Sequence, residues 1–277
     1  MANNFSKVIS QLIALIKQHP STATHRPYPK LRNFILDIMA EGRRKNIINL
    51  LFETELTQIR EHIAHYATQH RERITLTSYI SKSFACAIDE DKSMQGYRHG
   101  KSKLVVFDEV DLSVMVEREI DDHTMPVTLI VRAANRKGVG EIAQEIRRAK
   151  TSVIGDEGPM TALDKQFFEL PWLLRKIIWF EMRRDPHLFK QLAGTVGVTS
   201  MGMYASGPAV IFPITPMTLT LSIGAIHKKL VLENGLAVER DFIQMNLGAD
   251  HAIIDGAPLM RFAVRFKLKL QNGCALN

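Results

Sequence analysis

The chain has 277 residues, of which 45% are hydrophobic and 23% charged, with a formal net charge of +7 at pH 7. That size and balance can bury a sizeable core in one large domain or two small ones, and they exclude global disorder. Cys86 and Cys274 stand far apart and outside any Cys-x-x-Cys pair, which excludes a disulfide framework and points to a reducing cytosol.

Phe5, Val8, Ile9, Leu12, Ile13 and Ile16 recur at helical spacing near the N-terminus. Ser10, Gln11 and Lys17 break the row, so it reads as an amphipathic surface helix and not as a secretory leader. It is expected to pack on the body or on a neighbouring subunit, with membrane-surface anchoring as the less favoured alternative. No apolar run approaches bilayer-spanning length. From about Pro27 helices and strands alternate. Leu31–Ala40 reads as a helix, Asn49–Glu55 as a strand and Leu56–Arg71 as a helix. Thr77–Ile88 is a further helix, with Tyr79, Ile80, Phe84 and Ile88 on its apolar side. Lys103–Phe107 and Leu112–Val116 are strand-like and split by the acidic turn Asp108–Asp111; Val127–Arg132 is a third strand and Gly140–Lys150 a charged helix.

Asp164–Pro186 holds both tryptophans of the chain, in Pro171-Trp172-Leu173-Leu174 and Ile177-Ile178-Trp179-Phe180, edged by Arg175, Lys176, Arg183 and Arg184. Four readings stand open: a helix covering core, an acyl-chain pocket, a subunit contact, or a membrane-facing patch. Basic residues elsewhere are dispersed, as in Arg43-Arg44-Lys45, with no aromatic-interleaved basic module, so nucleic acid is not an expected partner.

The chemistry-bearing run is His251-Ala252-Ile253-Ile254-Asp255-Gly256. Histidine alone has an ordinary pKa near neutrality, so His251 can take a proton from a weak acid and return it. Asp255 would supply a fixed carboxylate and Gly256 a sharp, permissive turn. Upstream lies the Thr/Ser-rich stretch Gly194–Met203. His62, His65 and His123 lack metal-ligand spacing, so no metal is expected. Gly138-Val139-Gly140 is too short for a dinucleotide fingerprint, and Met201 and Met203 read as core or pocket lining.

The His-x-x-x-Asp-Gly run resembles the active-site signature of the chloramphenicol acetyltransferases and of the catalytic domains of dihydrolipoyl acyltransferases from 2-oxo acid dehydrogenase complexes. Arg73–Ser83, Val110–Glu117, and Pro126–Lys137 leading to Glu141–Ile146 resemble that family's segments in the family's order. The resemblance implies an α/β fold, a two-layer α+β sandwich in which helices cover a mixed sheet. It divides the chain into an N-terminal amphipathic extension, residues 1–26, and an acyltransferase catalytic domain, residues 27–277. It implies a cytoplasmic homotrimer with its site in a channel between subunits, and coenzyme A as the substrate whose thiol His251 deprotonates without an acyl-enzyme. The histidine's tautomer would be held by a backbone carbonyl. Asp255 would pair with Arg32 and hold the histidine loop. Thr199, fifty-two positions ahead of His251, would donate to the oxyanion, with Ser200 as the backup donor.

Two features depart from the pattern. Asp164–Pro186 is longer than the usual connection, and Phe212-Pro213-Ile214-Thr215-Pro216-Met217 replaces an Asn-Pro-Pro-type turn. With no flexible linker or lipoyl segment in view, the expectation is a stand-alone acyltransferase using acyl-CoA and a lipoyl group on a separate carrier protein, or another small acceptor. The alternative is a catalytically silent trimeric scaffold of the same fold, peripheral to a membrane in its most extreme form.

Overall fold

The structure, a computed structural model, describes residues 8–14, 24, 28, 32–120, 123–151, 170–202 and 207–276. In chain order the elements are α1 (Arg32–Gly42), β1 (Ile47–Glu55), α2 (Thr57–His70), α3 (Leu76–Glu90), β2 (Tyr97–His99) and β3 (Lys103–Val105). They continue with β4 (Leu112–Ile120), β5 (His123–Val131), α4 (Val139–Thr151), α5 (Trp172–Arg184) and α6 (Pro186–Ala193). The last are β6 (Val196–Ser200), β7 (Leu219–Glu233), β8 (Leu236–Asp250) and α7 (Gly256–Gln271). Six strands form one sheet in the order β1-β8-β7-β6-β4-β5, and β2-β3 make a separate ribbon. The sheet is mixed, because β6 runs parallel to both β4 and β7 while the other pairs are antiparallel. This is the expected architecture.

Local sequence explains the elements. Thr75 opens α3 with a capping box: its hydroxyl accepts from the Ser78 N–H at 3.1 Å, and the Ser78 hydroxyl accepts from the Thr75 N–H at 2.9 Å. Tyr79, Ile80, Phe84 and Ile88 are then fully buried, as their spacing predicts. Alternation in β4 sends Leu112, Val114 and Val116 into the same core. Pro126 is tolerated in β5 because that strand is an edge. The core lies between one sheet face and helices α2, α3, α4 and α7, where Phe84, Phe262 and Phe266 meet with ring centroids 5.4 to 6.4 Å apart.

The largest element is one the sequence reading leaves unassigned. Strands β7 and β8, 15 residues each, form a hairpin around Asn234-Gly235. Both turn residues have positive φ, 51° and 81°, the demand of a type I′ turn that Asn-Gly meets best. The hairpin's far end is uncovered: Leu230, Leu232 and Leu236 are 74%, 81% and 71% exposed.

On the sheet's other face Gly197 leaves room for Thr220, whose side chain a Cβ there would meet at 3.0 Å, with Met217 just beyond. Met217 belongs to a smaller cluster with Tyr97, Phe107, Trp179, Met182 and Phe189. The described part of the Trp-bearing segment is therefore a helix with one face on core. Residues 8–14 are helical as expected, but Val8, Ile9, Leu12 and Ile13 are exposed, so the chain's own body does not cover them. The cysteines, distant in sequence, meet: the Cys86 thiol donates to the Cys274 carbonyl at 3.7 Å, and both remain free thiols. No described helix is long and apolar enough to cross a membrane.

Candidate active site

His251 stands immediately beyond β8, on a turn whose geometry is set by its neighbour Asp250. The Asp250 side chain is 5% exposed; its Oδ1 accepts the backbone N–H groups of Asn46 (3.3 Å) and Ala252 (3.2 Å), and its Oδ2 pairs with Lys45 Nζ at 2.9 Å. Its carbonyl accepts from both Ile253 and Ile254 at 2.9 Å, and the His251 N–H donates to Asn46 O at 2.8 Å. Lys45 also lies over the ring of buried Tyr97, 5.6 Å from the centroid. This clamp holds the backbone while the imidazole projects outward, 49% exposed. Asp250 and Lys45 escaped the sequence reading, since no local pattern marks a pair so far apart in the chain.

Asp255 departs from its expected role. Its Oδ1 lies 3.3 Å from His251 Nδ1, while Arg32 is exposed and makes no ion pair with it. Within the chain that ring nitrogen thus lies at ion-pair distance from a carboxylate. Asp255 occupies the N-cap position of α7 without capping it through its side chain, which is turned to the histidine instead. Gly256 is simply the first residue of α7: its φ is not positive and a Cβ there would meet nothing within 4 Å. The sharp turn expected of it is made by Asp250.

Thr199 and Ser200 end β6, half-buried. Val196 and Val198 face the helices, so alternation turns Thr199 to the opposite face. Its hydroxyl makes no hydrogen bond among the described residues. The same row continues across the sheet through Ser222 and Asn246, both buried, whose Oγ and Oδ1 have no partner there. Close backbone approach fixes the strand's exit, because a Cβ on Gly202 would lie 1.9 Å from Gly224 O.

The register shows that one chain does not bring Thr199 to His251. Thr199 pairs with Ser222 and Ser222 with Asn246. His251 is five residues further along, about 16 Å at strand rise, and two strands over adds roughly 9 Å in the perpendicular direction. A cleft of about 790 Å³ opens beside the β7–β8 hairpin, lined by Pro208, Ile226, His227, Lys228, Lys229, Asp241 and Gln244 among others. Glu53 in its wall lies 3.4 Å from His227 Nε2 and pairs with Lys229. No group of three or more His, Cys, Asp and Glu that could hold a metal occurs among the described residues.

The family of 2-oxoacid dehydrogenase acyltransferase catalytic domains matches residues 21–156 and 187–276. The gap includes α5, so the Trp-bearing helix lies outside the shared pattern. The dihydrolipoyllysine-residue acetyltransferase component of the Rickettsia conorii pyruvate dehydrogenase complex is 25% identical over 216 residues, 77% of this chain and 44% of that protein. The chain therefore spans under half the length of that relative. Among solved structures, the cubic core of a pyruvate dehydrogenase multienzyme complex superposes with a TM-score of 0.68 at 14% identity, covering 93% of this chain and 95% of that one. The dihydrolipoamide acetyltransferase of Azotobacter vinelandii gives the same four values. In that enzyme, roles in the catalytic mechanism have been investigated for a serine, a histidine fifty-two positions later and an asparagine four beyond the histidine.

Proposed function

The chain belongs to the catalytic-domain family of the 2-oxoacid dehydrogenase acyltransferases, and from that premise we propose that it moves an acyl group between coenzyme A and a lipoyl thiol carried on another protein. The observation that carries this reading is the imidazole of His251, half-exposed and clear of apolar packing on a clamped turn. With Nδ1 protonated and facing Asp255, Nε2 is the free base. It takes the proton of the coenzyme A thiol; the sulfur attacks the acyl-lipoyl thioester carbonyl. The tetrahedral oxyanion is met by a Thr199 hydroxyl; Ser200, the expected backup, falls on the helix-facing side of β6 with Val196 and Val198 and does not share that position. Collapse breaks the bond between the acyl carbon and the lipoyl sulfur, and the leaving lipoyl thiolate recovers the proton from the imidazolium. No acyl-enzyme forms, and no metal takes part.

The separation of Thr199 from His251 within one chain supports a site shared between copies, His251 from one and Thr199 from its neighbour, in a homotrimer. The spacing of Thr199, His251 and Asp255 equals that of the three residues probed in the Azotobacter enzyme, which supports their grouping. There the last position is asparagine, so a carboxamide can serve where this chain has Asp255. The lack of a family-type turn at Phe212–Met217 favours a stand-alone trimer acting on a separate carrier over a large cage.

The test is acyl transfer from acetyl-CoA to dihydrolipoamide, followed by thioester absorbance. His251→Ala is expected to lower kcat at least about a hundredfold, the share of a positioned general base. Equal rates in wild type and variant would defeat the enzyme reading and leave the scaffold alternative.

A further inference from the structure

We propose that the outward face of α5 docks on the surface of an anionic phospholipid bilayer. The helix has two unlike sides. Arg175, Trp179 and Met182 are buried; Arg175 Nε pairs with Asp37 at 2.6 Å and its Nη1 donates to Leu170 O at 2.7 Å, which fixes the helix in place. At 3.6 residues per turn, Leu173, Ile177 and Phe180 fall within an arc of about 60° on the other side. They are 56%, 52% and 47% exposed, and Trp172 at the helix start is 60% exposed. A fixed helix that leaves this much apolar and aromatic surface in water has a partner to meet.

The charges choose among partners. Lys176 Nζ lies 4.5 Å from the Trp172 ring centroid, and the guanidinium groups of Arg183 and Arg184 lie 5.6 and 5.4 Å from that of Phe180. Arg183 Nη1 is bound to Glu41 at 2.5 Å, so Lys176 is the cation beside these rings that pairs with no carboxylate among the described residues; its stem can lie along apolar surface while its head reaches phosphate. The only acidic residue of the helix is Glu181, already paired with Arg184 at 3.6 Å. A second copy of the same face would bring like charge to like charge, whereas an anionic lipid surface complements it. The formal charge of +7 on the whole chain adds attraction at longer range. The helix lies in the gap of the family match, so docking here leaves the shared acyltransferase body untouched.

The experiment is sedimentation of the whole protein with vesicles of phosphatidylcholine alone or mixed with phosphatidylglycerol. Binding is expected only to the phosphatidylglycerol vesicles, weakening as salt rises, with a blue shift of Trp emission that Trp172→Phe removes. Ile177→Glu combined with Phe180→Glu should weaken binding at least about tenfold while circular dichroism and thioester turnover stay unchanged. The milder pair Trp172→Ala and Lys176→Ala serves if the glutamates disturb folding. Absence of binding to anionic vesicles, or binding that both variants retain, overturns the proposal. So does a lipid-free assembly that the glutamates disperse, since that places a second copy on the face.

Discussion

At the scale of single residues, His251, Asp255 and Thr199 stand out in the sequence because each carries chemistry at a recognisable spacing, and their roles belong to the proposed function. Asp250 and Lys45 were not, because a clamp between β8 and the start of β1 is made by folding and leaves no periodic trace. The Arg32–Asp255 pair implied by the family resemblance is not among the ion pairs of the described residues, where Asp255 lies beside His251. Thr199 carries the sharpest prediction. Thr199→Ala should lower kcat about a hundredfold or more with little change in KM, because the lost donor acts on charge that develops only in the transition state. Thr199→Ser keeps one O–H donor and should remain within a few-fold of wild type. Steady-state kinetics of both variants decide it. Cys86 offers a second check: burial, then its hydrogen bond with Cys274, pushes the thiol up to about 12. It should resist alkylation by iodoacetamide at pH 8 in the folded protein and react readily once unfolded.

Among elements, periodicity recovered the helices α1 to α4 and the strands β1, β4 and β5, because each has one buried face and a single repeat. The β7–β8 hairpin has no single repeat. The first half of β7 is buried continuously and its second half alternates toward solvent, and both strands far exceed the usual strand length. Its Asn-Gly turn was the readable signal. The joint that holds β6 is Asp111. Its carbonyl accepts from Thr195 at 2.8 Å, and its carboxylate accepts the Ala133 N–H at 2.9 Å and meets Arg132 at 2.8 Å and Lys190 at 3.0 Å. Ala133 is thereby kept at a φ of 48°, which few non-glycine residues adopt. Burial alone would raise the Asp111 carboxyl, but the Ala133 N–H, Arg132 and Lys190 outweigh it and hold it below its ordinary value. A depressed carboxyl stabilises the fold above its unfolded pKa of about 3.9 and loses that contribution as pH falls through the folded value. Asp111→Ala should cost roughly 3 kcal/mol at pH 7 by urea denaturation. Below about pH 4 the gap between variant and wild type should narrow.

For the whole molecule, the class of fold was readable in the sequence because the order of segments survives even where identity is low. Complementation tests the shared site. Chains carrying His251→Ala and chains carrying Thr199→Ala should each be inactive alone. Refolded together at equal amounts, they should regain about one quarter of wild-type sites, those that join an intact histidine to an intact threonine. No recovery would place the whole site within one chain. The distance between Thr199 and His251 has a further consequence for how the protein behaves in dilute solution. On the proposed shared site a lone protomer holds half of each reaction centre, so turnover per chain should obey mass action, vanishing on dilution and returning on concentration with a lag that shortens as chains become more abundant.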